Sequence, residues 1–123
     1  MILLDTNAVI WLMVKHKRVQ GLQNAGRLYL SPVSLLELHF LVEVGRGIQF
    51  PAGKTLQDVA KDSRWQLDNP DAAALFAAAF PIGWTRDPFD RLLVAHAKHR
   101  RWKLATSDQH ILKNLTQNEV IKL

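Results

Sequence analysis

Cysteine is absent from the 123 residues. That excludes disulfides, thiolate metal sites and a cysteine nucleophile, and it fits a reducing compartment. No apolar run reaches the roughly 18 residues that a membrane span requires. No Gly-rich phosphate loop, internal repeat, low-complexity tract or linker is found, and no serine has triad partners at telling positions. No basic leader or export cleavage pattern precedes the first apolar run, so a cytoplasmic protein without a membrane partner is expected. With 48% hydrophobic and 22% charged residues, the remainder reads as one globular domain over residues 1–123. Only positive charge is in excess: 16 Lys and Arg against 11 Asp and Glu give a net +5. An anionic partner, nucleic acid or acidic protein, follows from that balance.

Against this basic background the acidic residues stand out by position. Met1 to Leu4 and Ala8 to Val14 are apolar runs split by Asp5-Thr6-Asn7. A carboxylate directly after a buried strand belongs at the carboxyl edge of an α/β sheet, where such folds gather ligands. Strands are read at Ile2 to Leu4, Leu28 to Leu30, Trp65 to Leu67, Leu104 to Thr106 and Val120 to Ile121. Helices alternate with them: Ala8 to Val14; Ser31-capped from Pro32 to Val44, closed by Gly45 and Gly47; Leu56 to Lys61, after Pro51 and Gly53; Asp71 to Phe80; Pro88 to Arg101; and Gln109 to Asn114. That alternation implies a parallel sheet covered on both faces.

Each acid has a plain alternative role. Asp5 can cap the first helix, a task Thr6 or Asn7 could share. Glu37 fits a capping box with Ser34, but Pro32 at the first helical position moves it into the second turn, among Val33, Phe40, Leu41 and Val44. A carboxylate in such a stripe is costly unless paired or metal-bound. Asp87 reads as the structural cap before Pro88, while Asp90 shares its face with Leu93, Val94 and Ala97 and points inward. Asp108 can start the last helix. Two carboxylates about 4 Å apart repel by about 4 kcal/mol at an effective dielectric near 20, so convergence of Asp5, Glu37, Asp90 and Asp108 calls for a cation. All-oxygen donors point to Mg²⁺ or Mn²⁺. His96 and His99, at i,i+3, read as surface histidines ahead of a zinc pair. The clusters Lys15-His16-Lys17-Arg18 and Lys98-His99-Arg100-Arg101-Trp102-Lys103 read equally as nucleic-acid contacts or as solvated charge complementing helix dipoles.

With these residues in hand, the chain resembles the PIN domain family, in particular the VapC-type toxins of bacterial toxin–antitoxin pairs. The resemblance runs through Leu3-Leu4-Asp5-Thr6-Asn7, Ser34-Leu35-Leu36-Glu37, Arg86-Asp87-Pro88-Phe89-Asp90-Arg91-Leu92-Leu93 and Leu104-Ala105-Thr106-Ser107-Asp108, in order along essentially the whole chain. It departs at Leu38-His39-Phe40, where relatives often carry other side chains. The resemblance implies a three-layer sandwich with a short parallel sheet of four to five strands between helices. It also implies a Mg²⁺- or Mn²⁺-dependent endoribonuclease whose catalytic and metal-binding residues are Asp5, Glu37, Asp90 and Asp108. Asp5 and Asp90 would be direct ligands, with Glu37 and Asp108 acting through water. Beyond what the resemblance implies, Thr6, Asn7, Thr106 and Ser107 are candidates for positioning water or substrate, and Lys15, Lys17, Arg18, Arg86 and Arg91 are candidate contacts to RNA phosphates. A cognate antitoxin is implied as a partner. A homodimer is expected as well, covering the Asp71 to Phe80 and Phe40-Leu41-Val42 surfaces.

Rival readings belong to other classes. A receiver-type signalling domain also clusters acids around Mg²⁺, but its phosphoryl-binding lysine is missing from the required place after Thr106 or Ile121. A haloacid-dehalogenase-type phosphatase would carry a second Asp where Asn7 stands. A non-catalytic RNA-binding or scaffolding module is disfavoured by the presence of all four acids.

Overall fold

The protein is described here by a computed structural model covering residues 1–45 and 55–123; Gly47, Pro51 and Gly53 lie outside the described residues. The strands β1 (Ile2–Leu4), β2 (Leu28–Leu30), β3 (Gln66–Leu67), β4 (Lys103–Thr106) and β5 (Val120–Lys122) form one parallel sheet in the order β3-β2-β1-β4-β5. Leu3 pairs with Tyr29 on one side and Leu104 on the other. From β1 the chain first builds outward through β2 and β3, then returns to build β4 and β5 on the opposite side. The switch point therefore falls between the carboxyl ends of β1 and β4, where open α/β sheets bind ligands.

The helices are α1 (Thr6–Met13), α2 (Leu22–Ala25), α3 (Pro32–Glu43), α4 (Leu56–Ala60), α5 (Ala72–Ala79), α6 (Pro88–Arg100) and α7 (Gln109–Asn114). Their starts follow the sequence signals closely. Ser31, Asp71, Asp87 and Asp108 cap α3, α5, α6 and α7, with Pro32 and Pro88 in the first turns. α1 begins two residues earlier than expected, because Asp5 itself is the cap and accepts the Ala8 N–H at 2.7 Å. A 3-10 turn (Lys17–Val19) and α2, neither expected, fill the return to β2. Both are too short to show a period in sequence.

The pleat sorts the core into two layers. Ile2, Leu4, Leu28, Leu30 and Ala105 face α1, α2 and α4 through Val9, Leu12, Leu22 and Val59. Leu3, Tyr29 and Leu104 face α5, α6 and α7 through Leu75, Leu93, Val94 and Ile111. Buried on both faces, the central strands β1, β2 and β4 read as short continuous apolar runs, while the edge strands β3 and β5 stay partly open. The three-layer arrangement and five parallel strands are those the sequence predicted.

Candidate active site

Each strand that ends at the switch point delivers a polar residue there. Asp5 follows β1 and is buried, only 6% exposed. One carboxylate oxygen caps α1 through Ala8 N–H, and the carboxylate also accepts the Thr106 hydroxyl from the end of β4. The capping and functional readings of Asp5 are thus both satisfied by one side chain with two oxygens. Asp108, two residues past β4, does the same: its Oδ1 accepts the Ile111 N–H at 3.0 Å, and its own N–H donates to Thr106 Oγ1.

Helices bring the other acids. The Thr6 hydroxyl at the start of α1 donates to Glu37 Oε1 on α3, and Ser34 Oγ lies 3.3 Å from that hydroxyl. The Ser34–Glu37 capping box does not form, because Ser31 is the cap. Asp90 sits in the first turn of α6, with its N–H held by Asp87 Oδ1. Asp5, Glu37, Asp90 and Asp108 line one cleft of ≈ 230 Å³, together with Thr6, Asn7, Asp87, Leu41 and Leu93. Asp87, read from sequence as a structural cap, is that cap and also adds a fifth carboxylate to the cleft.

The electrostatics follow from this crowding. Burial pushes the Asp5 carboxyl up to about 6 against the hydrogen bonds from Thr106 and Ala8, with Asp108 adding repulsion. Burial pushes Asp90 up to about 7, reinforced by Asp87, Asp108, Glu37 and Asp5. Glu37 is raised by burial too, although the Thr6 hydrogen bond opposes the shift. Among the described residues no three of these groups are drawn together tightly enough to hold an ion as they stand. A cleft whose charged groups are all carboxylates, kept from ionising first by burial and then by one another, suits a hard cation that would offset both effects.

The remaining expected site residues divide by place. Thr6 and Asn7 line the cleft, whereas Thr106 is buried behind Asp5 and Ser107 is not among the lining residues. Arg86 and Arg91 flank Asp87 and Asp90 in sequence, and Arg91 Nε donates to the Thr85 carbonyl at 2.8 Å. Lys15, Lys17 and Arg18 follow the far end of α1 and line no part of the cleft. His96 is not a surface histidine: it is fully buried, and its ring lies 2.8 Å from Ser31 Oγ and 2.7 Å from Asp68 Oδ2. Those two partners leave no ring nitrogen for a zinc ion.

The PIN domain family profile matches residues 2–116. The chain is 31% identical over 116 residues to Ribonuclease VapC22 of Mycobacterium tuberculosis, covering 89% of this chain and 88% of that protein. Its fold resembles that in a toxin-antitoxin complex from Klebsiella pneumoniae, with a TM-score of 0.71 at 14% identity over 99% of this chain and 97% of that one. It also resembles that in VapBC2 from Rickettsia felis bound to a DNA fragment from their promoter, with a TM-score of 0.68 at 20% identity over 100% and 99% of the two chains. The order of the acid-bearing segments, the sheet that gathers them and these likenesses agree: the chain belongs to the PIN domain family.

Proposed function

We propose that this chain is a metal-dependent endoribonuclease, the toxin of a toxin–antitoxin pair, restrained by a cognate antitoxin and working as a homodimer. The observation that carries the reading is the meeting of Asp5, Glu37, Asp90 and Asp108, from four different elements, in one cleft of a chain with net charge +5. Its relative VapC22 is named a ribonuclease, and related folds occur in toxin–antitoxin complexes. A bound Mg²⁺ or Mn²⁺ would polarise a phosphoryl oxygen and lower the pKa of a coordinated water.

The protein's own groups do the rest. Asp5 and Asp90 offer the direct ligand oxygens, Asp5 held rigid by Thr106 and by its cap to Ala8. Glu37, aimed by Thr6, and Asp108, fixed by Ile111 N–H, accept protons from water at the rim and orient it for attack on phosphorus. Leu41 and Leu93 close the cleft on its apolar side. The exposed apolar side chains of α3 and α5 offer the dimer surface.

Mapping of RNA 5′ ends after a short pulse of expression tests this reading. New ends should appear with the wild type and be missing with Asp5→Asn or when the antitoxin is co-expressed. Equal 5′ ends with wild type and Asp5→Asn would overturn it.

A further inference from the structure

The corner that follows α1 is built differently from an incidental run of charge. The helix closes with the pattern in which His16 N–H reaches the Trp11 carbonyl at 2.8 Å and Lys15 N–H reaches the Leu12 carbonyl. That closure puts Lys15 at φ 55, a left-handed position normally given to glycine. After α3 the corresponding place is taken by Gly45, at φ 69. Lys15 thus holds a place where the backbone favours glycine, as Arg101 does at φ 59 after α6.

The next residues fix their own geometry. His16 Nδ1 accepts the Arg18 N–H at 3.0 Å, which leaves the ring proton on Nε2. The imidazole stacks on Trp11 at 5.1 Å, and the Arg18 guanidinium lies 5.3 Å from the same indole. Beside them opens a cavity of ≈ 520 Å³ lined by Lys15, His16, Lys17, Gln23, Asn24 and Arg64, with no carboxylate on its wall. Arg64 is itself engaged, by Asp62 and by the Leu12 carbonyl, so it braces the wall. Among the described residues Lys15 and Lys17 form no ion pair.

Topology separates this corner from the carboxylates. α1 leaves the carboxyl end of β1 and must return to the amino end of the parallel strand β2. Ten residues of mostly helical rise carry Lys15 about 15 Å from Asp5, a span of about four stacked nucleotides. Lys15, Lys17 and the His16 ring, held by Trp11, line the cavity together, and cations beside a fixed aromatic ring are the combination that holds a single-stranded backbone and its bases; an acidic peptide would use the cations alone.

We propose that the Lys15–Arg18 corner is a second RNA-binding site, an exosite that grips the substrate's backbone at the sheet edge opposite the cleft. The assignment rests on RNA being the substrate. The alternative is that these cations only complement the negative end of α1, in which case removing them leaves RNA binding unchanged.

The test is fluorescence anisotropy in EDTA with single-stranded RNA about 20 nucleotides long, titrated between about 50 and 200 mM salt. Lys15→Gly with Lys17→Ala should weaken binding several-fold and reduce the salt slope by about 1.4, the share of two phosphate contacts. Lys15→Arg should keep the wild-type slope. An unchanged salt slope in the double variant would overturn the exosite. Polyglutamate bound as tightly as RNA through the same lysines would also overturn it, in favour of an acidic protein. Binding is read without cleavage, so the two claims fail separately. A protein that binds RNA through these lysines but cuts none loses the nuclease reading. One that cuts RNA but binds it independently of them loses the exosite.

Discussion

Asp5 does two jobs with one carboxylate, and the substitution that separates them is Asp5→Asn. Asparagine caps a helix about as well as aspartate, so the Ala8 N–H keeps its acceptor, while the charge that burial and Asp108 disfavour is gone. In metal-free protein above pH 7, Asp5→Asn should therefore be more stable than wild type, by about 2 kcal/mol. The pH dependence has a definite sign. Asp5 and Asp90 sit at about 6 and about 7 in the fold, above the ordinary 3.8 of an unfolded aspartate, so the native state binds more protons between these values. Its stability falls as pH rises from about 4 to 7. His96, lowered by burial, works in the opposite direction, but it is unaltered in Asp5→Asn. The difference between the two melting curves thus isolates Asp5. Thermal melts in EDTA at pH 5 and 7.5 check this: the loss on going to pH 7.5 should be smaller in Asp5→Asn. An equal loss would mean that Asp5 is not held protonated by its surroundings.

Between elements, the cleft depends on how α3 and α6 are seated, and a buried polar network does the seating. The Asp68 carboxylate can only accept, so the neutral His96 ring donates to it from Nε2 and its Nδ1 accepts the Ser31 hydroxyl, whose oxygen in turn accepts the Val33 N–H. Arg100 completes the set with two hydrogen bonds to Asp68, at 2.9 and 3.1 Å. Burial would raise Asp68, but the Arg100 and His96 hydrogen bonds hold it below the usual carboxylate range. The network thereby ties the ends of β2 and β3 to the middle of α6, the helix that carries Asp90. His96→Ala should cost about 3 kcal/mol. Ser31→Ala should cost about 1–2 kcal/mol, and the double variant less than the sum by at least about 0.5 kcal/mol. Strict additivity in urea denaturation would show that the two side chains do not act together. None of this was legible in the sequence. The partners are 65 and 28 residues apart, and a histidine between basic residues near a helix end looks like surface. The helix starts were legible, because Ser31, Asp87 and Asp108 act within three residues of themselves. So were the four acids, whose signal is a carboxylate set against an apolar strand or stripe. The Thr6–Glu37 contact was not, since it joins two helices through tertiary packing alone.

At the scale of the whole molecule, the apolar surface is unevenly shared. Phe76 is 54% exposed on α5, Phe80 77% just after it, and Phe40 45% on α3. A two-fold dimer burying this side would cover them. Light scattering at tens of micromolar should report twice the 14.0 kDa chain mass, and Phe76→Glu with Phe80→Glu should return the monomer. A wild type that stays monomeric would count against the dimer. Cleavage of RNA by purified protein before and after chelation tests most directly whether the carboxylate cleft is a nuclease centre. Activity should vanish in excess EDTA, return with Mg²⁺ or Mn²⁺, and fall at least about 100-fold in Asp90→Asn; undiminished cleavage in EDTA, or by Asp90→Asn, would contradict it.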